Sequence, residues 1–440
     1  MYTKDETNFH IYIHYTYWIV VFFQGIFELL HLSGAINKIG VPLFTIILLV
    51  HVSLTVQKRG RDFHAPFMSI VGFFILIGLL STIYNRMNII SLTLFYIYTL
   101  NSYIYFLIII NENRESDIEK ITKFLVALFL IQFPVIVYKF FALGQSEKGL
   151  IGTLSTTAGS VSTTVPLLVT AILFSYYLYT QQRSYLGLIL AAIIFGIVGK
   201  KRAIIVYVPL TMIFTFIIYY IKSKKRLFTI NNIKLIVIFV AGGTLFVVGI
   251  IKTNPTLNKE QSTWGSVDIE YTINYAQSYV SSKEEGHSEM RRMAGFLFFT
   301  NKIISSPLTT ILIGDGAGKL VQSKYNRDGG TMLNMYGVRY GGRMGFIWLL
   351  LQVGIVGTFT YLYFLFRVTK FVWIHYKQQP LYLAFLSLTF VFIIDLMTYS
   401  TTFLRYEYLK GIYFFVFALI YLDVKRTNFT KMPNDKPISA

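Results

Sequence analysis

The chain has 440 residues, of which 54% are hydrophobic and only 14% charged, and its mean hydropathy is +0.56. Soluble domains carry roughly 25% charged residues; too few remain here to cover a water-facing surface, which excludes a soluble enzyme, a solenoid and a disordered chain. Forty Lys and Arg against 21 Asp and Glu leave a net charge of +19, but the basic residues fall in short connections between apolar runs, which points to membrane topology rather than nucleic-acid binding.

The polar start, Met1 to His10, leads into an apolar run with no small-residue cleavage site, so no removable signal peptide is expected. From there the apolar runs predict spans near 11–30, 41–57, 66–84, 89–110, 121–143, 158–180, 185–199, 203–221, 233–251, 345–366, 380–400 and 411–423. That is an all-α polytopic membrane protein of about 12 helices, each run being close to the ~20 residues that cross a bilayer. The runs are continuous rather than alternating, which argues against a β-barrel.

Orientation follows from the cations. Lys58, Arg59 and Arg61, then Arg114 and Lys120, Arg183, the cluster Lys222 to Arg226, and Arg367, Lys370 and Lys377 occupy alternate connections. By the positive-inside tendency these are cytoplasmic, as are both termini. The opposite connections, with Lys38, Arg86, Lys148, and Lys410 with Arg405, are sparser in charge except for Lys200-Lys201-Arg202. That triplet reads as an anion site on the outer face; the alternative is a re-entrant pair of helices that keeps it cytoplasmic.

The segments are therefore 1–251 with nine spans, 252–344 as one large extracytoplasmic loop, 345–424 with three spans and 425–440 as a cytoplasmic tail. The loop is too rich in Trp and Tyr for a disordered linker. Within it Ser288 to Ser306 predicts an amphipathic helix, with Ser288 as cap, Glu289 at the positive end of the dipole, Met290, Met293, Ala294, Leu297, Phe298 and Ile304 as the apolar stripe, and Pro307 as the stop. A bland reading is an interfacial helix whose arginines reach lipid headgroups. Gly314-Asp315-Gly316-Ala317-Gly318 marks a tight turn, and a phosphate cradle is a weaker reading of the same residues. Arg339, Gly341, Gly342 and Arg343 precede a span that carries Gly354-Ile355-Val356-Gly357.

The ordered set of Arg291 and Arg292, amphipathic helix, Pro307-Leu308, Gly314-Asp315-Gly316 and Gly354-Ile355-Val356-Gly357 resembles the C-terminal half of the O-antigen polymerase and ligase family (Wzy/WaaL type). Lys148, Gly152-Thr153 and the small polar run before Pro166 resemble an upstream outer loop of that family, and Lys201-Arg202 a further motif. The resemblance covers roughly 145–365 by motif and implies a GT-C-like architecture. It implies glycosyl transfer on the outer face of the bacterial cytoplasmic membrane. The donor would be an undecaprenyl-diphosphate-linked oligosaccharide and the acceptor another lipid-linked repeat unit. No metal or other cofactor is implied; a chain-length regulator and a flippase are the implied partners. Ligases of the family carry a His where Arg343 stands, and Arg, which stays protonated, cannot be a general base; this leans toward a polymerase, with a ligase as the alternative.

A departing diphosphate needs preorganised cations, and the guanidinium fork suits it. Lys148, Lys201, Arg202, Arg291, Arg292, Arg339, Arg343 and Arg405 are the candidate diphosphate ligands. His287, Glu289 and Asp395 are the candidate catalytic groups, the base remaining open among these and the loop carboxylates Asp268, Glu270, Glu284 and Glu285. Asp395, near the outer end of its span, reads equally as a partner of Arg405 or as half of a structural ion pair. A lipid-linked oligosaccharide flippase or transporter, from another class, calls for internal repeats, broken helices and charges at mid-membrane depth; the sequence shows no clear repeat and its cations are peripheral, which argues against it.

Overall fold

A computed structural model of the chain describes residues 4–29, 36–112, 115–144, 152–154, 160–199, 201, 203–223, 247–249, 251–252, 255–262, 264–281, 289–290, 292–323, 326–340, 344–399 and 401–430. The described residues are almost wholly helical. In order come α1 (Lys4–Phe22), α2 (Gln24–Leu29), α3 (Ile36–Arg59), α4 (Met68–Tyr84), α5 (Ile89–Glu112), α6 (Glu115–Leu130), α7 (Gln132–Phe141), α8 (Val161–Thr180), α9 (Arg183–Val198) and α10 (Ala203–Ser223). After a long connection with α11 (Ile269–Ser281), α12 (Arg292–Ile304), α13 (Leu308–Ile313) and α14 (Met332–Tyr336), the chain ends in α15 (Gly345–Ile374), α16 (Pro380–Ile394), a π turn (Asp395–Tyr399), α17 (Thr402–Arg405) and α18 (Glu407–Thr430).

Among the described residues seven helical stretches are long and apolar enough to cross a membrane: those built on α3, α5, α6 with α7, α8, α10, α15, and α16 with its π turn. The helices α4 and α9 are apolar but shorter, as is the Ile11–Phe22 part of α1. Helices occupy the stretches expected as spans, except that most of 233–251 lies outside the described residues. Exposed side chains identify the solvent. Leu43, Ile46, Val50 and Leu54 form one helical stripe on α3, and Val206, Leu210, Ile213, Ile217 and Ile221 form another on α10, all turned outward. Water does not tolerate such continuous apolar faces, whereas lipid does.

Three spans are interrupted, each for a legible reason. Pro134 lacks an amide hydrogen and its ring crowds the carbonyl of Leu130, so the helix breaks between α6 and α7. The first apolar helix opens at Phe23, where Thr153 enters its ladder: the Thr153 hydroxyl donates to the Phe22 carbonyl at 2.7 Å, and the Gly25 amide donates to the Thr153 carbonyl at 2.7 Å. Backbone outside a helix survives among membrane helices when protein buries and satisfies it. The third interruption is a kink inside α15 at Gly354, whose φ of 63° is open to glycine. The helix order brings the described residues of 23–29, 84–91, 152–154, 252–345 and 395–407 to one end of the bundle, called the loop end below.

Candidate functional site

At the loop end the two glycine motifs form one contact. The Asp315 amide donates to the Leu351 carbonyl at 2.8 Å. The Gly318 amide donates to Gln352 Oε1 at 3.0 Å, and the Leu320 amide to the same oxygen at 3.3 Å. Asn85 Nδ2 donates to the Gly314 carbonyl at 3.0 Å, and the Ser81 hydroxyl to the Gln352 carbonyl at 2.8 Å. The turn thus spends these amides on α15, while its Gly314 carbonyl accepts from Asn85 at the end of α4, which makes it a clasp between helices; these donors are not turned toward a phosphate.

Beside the clasp the Tyr336 hydroxyl donates to Asp315 Oδ2 at 2.8 Å, and Lys319 Nζ lies 3.4 Å from the same oxygen. Burial pushes the Tyr336 phenol well above its ordinary 10.0, and the Asp315 carboxylate adds to the shift. Phe299 of α12 meets the Tyr336 ring edge to face at 5.6 Å, which ties α12 to the clasp. Its other face leaves Met293, Leu297 and Ile304 exposed, the pattern of a helix that lies against lipid.

The amphipathic helix starts later than the sequence reading had it. Glu289–Met290 is a two-residue strand that pairs in parallel with Arg339–Tyr340, Glu289 opposite Arg339. Glu289 therefore does not sit in the first helical turn; backbone pairing with the segment before α15 claims it first. The same pairing sets the two arginine-bearing stretches side by side in the chain fold.

The deeper feature is a buried polar cluster. Glu407 and Lys410 pair at 3.1 Å with exposures of 4% and 0%. The Tyr17 hydroxyl donates to Glu407 Oε1 at 2.9 Å, the Ser102 hydroxyl donates to that oxygen too, and Lys410 donates to the Tyr98 carbonyl. His14 Nδ1 and the Tyr105 hydroxyl share a hydrogen bond of 3.0 Å, and Tyr105 stacks on Tyr17 with centroids 4.1 Å apart. Tyr408, next to Glu407, contacts Phe22 at the break of the first span, ring centroids 6.3 Å apart. There the Thr153 N–H donates to Gln132 Oε1 at 2.7 Å, and buried Lys139 donates to the Gly152 carbonyl. On the other side Asp395, 2% exposed, accepts the Phe403 amide at 2.8 Å and so holds the start of α17.

The structure distributes the sequence candidates unevenly. His287, Lys148, Arg202, Arg291 and Arg343 lie outside the described residues, and the side chains of Glu289, Arg292 and Arg339 do as well. Asp395 and Arg405 belong to the same turn region, and an Asp395 carboxylate oxygen accepts the Phe403 amide. Lys201 sits at the head of α10, its amide donating to the Gly196 carbonyl at 3.1 Å. Lys410, read from sequence as a cation of the outer connections, is buried against Glu407. Sequence reasoning missed Glu407–Lys410 and Lys139, although an ionisable residue inside or bordering an apolar run was the available signal for each. Among the described residues no three His, Asp or Glu side chains converge as a metal site would need.

The class that fold and surface define is a helical multi-pass membrane protein. No protein-family model matches the chain, and no curated protein matches it.

Proposed function

We propose that the protein is a membrane glycosyltransferase that polymerises a surface polysaccharide, moving a glycan from undecaprenyl diphosphate to the non-reducing end of another lipid-linked repeat. The reading takes the twelve-span topology with the 252–344 segment outside. Its main support is the parallel pairing of Glu289–Met290 with Arg339–Tyr340, one ledge of backbone at the loop end whose two strands are the sequence neighbours of Arg291, Arg292, Arg339 and Arg343. Guanidinium groups gathered there would bind the diphosphate in two-pronged fashion and stabilise its growing charge as the sugar departs. A carboxylate or His287 would take the acceptor's proton. Asp395 is buried and already holds the Phe403 amide, so in this reading it positions α17 and Arg405 rather than touching substrate.

A second reading has a specific observation behind it. Broken helices around buried charges are a transporter's hallmark, and Thr153 in the ladder of the first span, with Lys139, Glu407 and Lys410 buried nearby, has that character. A flippase for lipid-linked oligosaccharide uses the same ledge to capture an anionic headgroup. Deleting the protein separates the readings: single-repeat glycan at the surface supports the polymerase, loss of surface-attached glycan supports a ligase, and lipid-linked repeats trapped inside support the flippase. Arg291→Ala and Arg292→Ala should abolish chain extension while membrane insertion is preserved; unchanged chain length would remove the diphosphate role.

A further inference from the structure

The exposed apolar stripes of the spanning helices do not stop at the loop end. On α4, Phe73, Leu76, Leu80 and Ile83 face outward and lead to Tyr84, also exposed, an aromatic ring where the apolar helix gives way to loop, the usual station of an interfacial tyrosine. The Thr309 hydroxyl donates to the Tyr84 hydroxyl at 2.8 Å, so α13 rests on the end of that stripe. There α13 turns Leu308 and Leu312, one helical turn apart, outward. In turn α13 packs on α12, and α12 on α11.

Both of these longer helices are three-sided. At ~100° per residue Met293, Leu297 and Ile304 stand within about 40° of one another on α12, and all three are exposed, while Phe299 and Ile303 are buried. The other exposed sector carries Asn301, Lys302 and Ser305. The arrangement recurs on α11, with Ile269 and Ile273 exposed, Tyr271, Thr272 and Tyr275 half-buried, and Glu270, Asn274 and Gln277 exposed on the polar side. A helix lying between protein and water needs two faces; an uncovered apolar third face calls for a third medium.

Trp264 ends the tract. Its side chain is 75% exposed although its backbone sits at φ 69°, which a bulky residue adopts only where its surroundings hold it. The Trp264 amide donates to the Lys252 carbonyl at 2.6 Å. Buried Asn258 braces the same turn, donating to the Ser262 carbonyl at 2.7 Å and accepting the Ser262 amide at 3.1 Å. The Thr272 hydroxyl donates to the Leu257 carbonyl at 2.9 Å, which fastens the turn to α11.

We propose that α11, α12, α13 and the Trp264 turn form a shelf in the plane of the bilayer surface at the loop end. Its apolar stripes enter the acyl boundary, its polar sectors face water, and the Trp264 indole lies at headgroup depth. The occupant of the uncovered face is lipid rather than a second copy of the chain, because Thr309 and Tyr84 make that face continuous with a stripe of α4 already turned to lipid. The shelf sets the height of the Glu289–Met290 strand, which leads directly into α12. Nothing in it depends on the glycan-transfer reading.

The chain has no cysteine, so single cysteines carrying a nitroxide report each position in the full chain, reconstituted into vesicles of phosphatidylethanolamine and phosphatidylglycerol. At Ile269→Cys, Ile273→Cys, Leu297→Cys and Leu308→Cys, oxygen, which partitions into lipid, should relax the label more than a water-soluble nickel chelate does. At Asn274→Cys and Ser305→Cys the order should reverse. Nickel dominance at positions 269 and 273, even with position 297 in lipid, would overturn the shelf. Exclusion of both reagents there would put a protein surface, a second copy or another partner, on the face and overturn it as well. An independent check needs no cysteine: brominated phospholipid should quench the wild type more than Trp264→Phe, since Trp18 and Trp348 are buried. Equal quenching of the two proteins would overturn the placement of Trp264.

Discussion

Gly314 and Gly354 touch backbone to backbone: a Cβ on Gly314 would lie 2.6 Å from the Gly354 nitrogen, and one on Gly354 would lie 2.4 Å from the Leu312 carbonyl carbon. Both residues have positive φ, 83° and 63°. Gly354→Ala therefore meets strain and a backbone clash at once, and should destabilise the protein by about 3 kcal/mol or more. Thermal melting in detergent reads this directly; an unchanged midpoint would mean that the clasp is loose.

Lys410→Met leaves Glu407 charged and buried, which costs about 3–5 kcal/mol when a buried pair is broken from one side. Adding Glu407→Gln should restore most of the lost stability, since a neutral amide can still accept from Tyr17 and Ser102. Comparison of the melting midpoints of the single and double variants tests the pair, and a double variant no better than the single would refute it.

Tyr336 supplies a pH signature. Its phenol is raised above 10.0 by burial and then by Asp315, so the unfolded chain loses this proton at lower pH than the folded one. The stabilisation is complete below pH 10 and is lost as the pH rises above it. Wild type should lose stability more steeply than Tyr336→Phe between pH 9.5 and 11, whereas near neutrality the Phe variant should be weaker by about 1 kcal/mol for the missing bond to Asp315. Parallel slopes in the two proteins would contradict the assignment.

At Asp395 the side-chain oxygen that accepts the Phe403 amide is the useful part. Under the proposed glycan-transfer reading, Asp395→Asn should keep glycan chain length close to wild type and Asp395→Ala should shorten it; Asp395→Ala should also lower stability by about 1–3 kcal/mol, read from the melting midpoint. A drop of about 10² or more in extension rate for the Asn variant would instead mark the carboxylate as a proton-transfer group.

How much of this was written in the sequence differs by element. Apolar runs located the helices because in lipid each span must satisfy its own backbone, so length and hydropathy are nearly sufficient. Pro134 gave warning of the α6–α7 break, yet nothing local marked Phe23, where the interruption comes from Thr153, some 130 residues along the chain. Of the glycine motifs one was legible as a turn and the other only as part of a span, and neither as the other's partner. Glu289 shows the opposite failure: its local fitness for a helix start was real, and a pairing with Arg339 outweighed it.

The sequence by itself determined that this is a helical membrane protein and which stretches of it seek lipid, because hydrocarbon imposes one rule on every residue of a span. Only the tertiary structure decided which charges are buried with partners. Lys410 looked like any cation near a span's end until Glu407, Tyr17, Ser102 and Tyr98 were brought around it, since an ion's environment is set by side chains that arrive from distant parts of the chain.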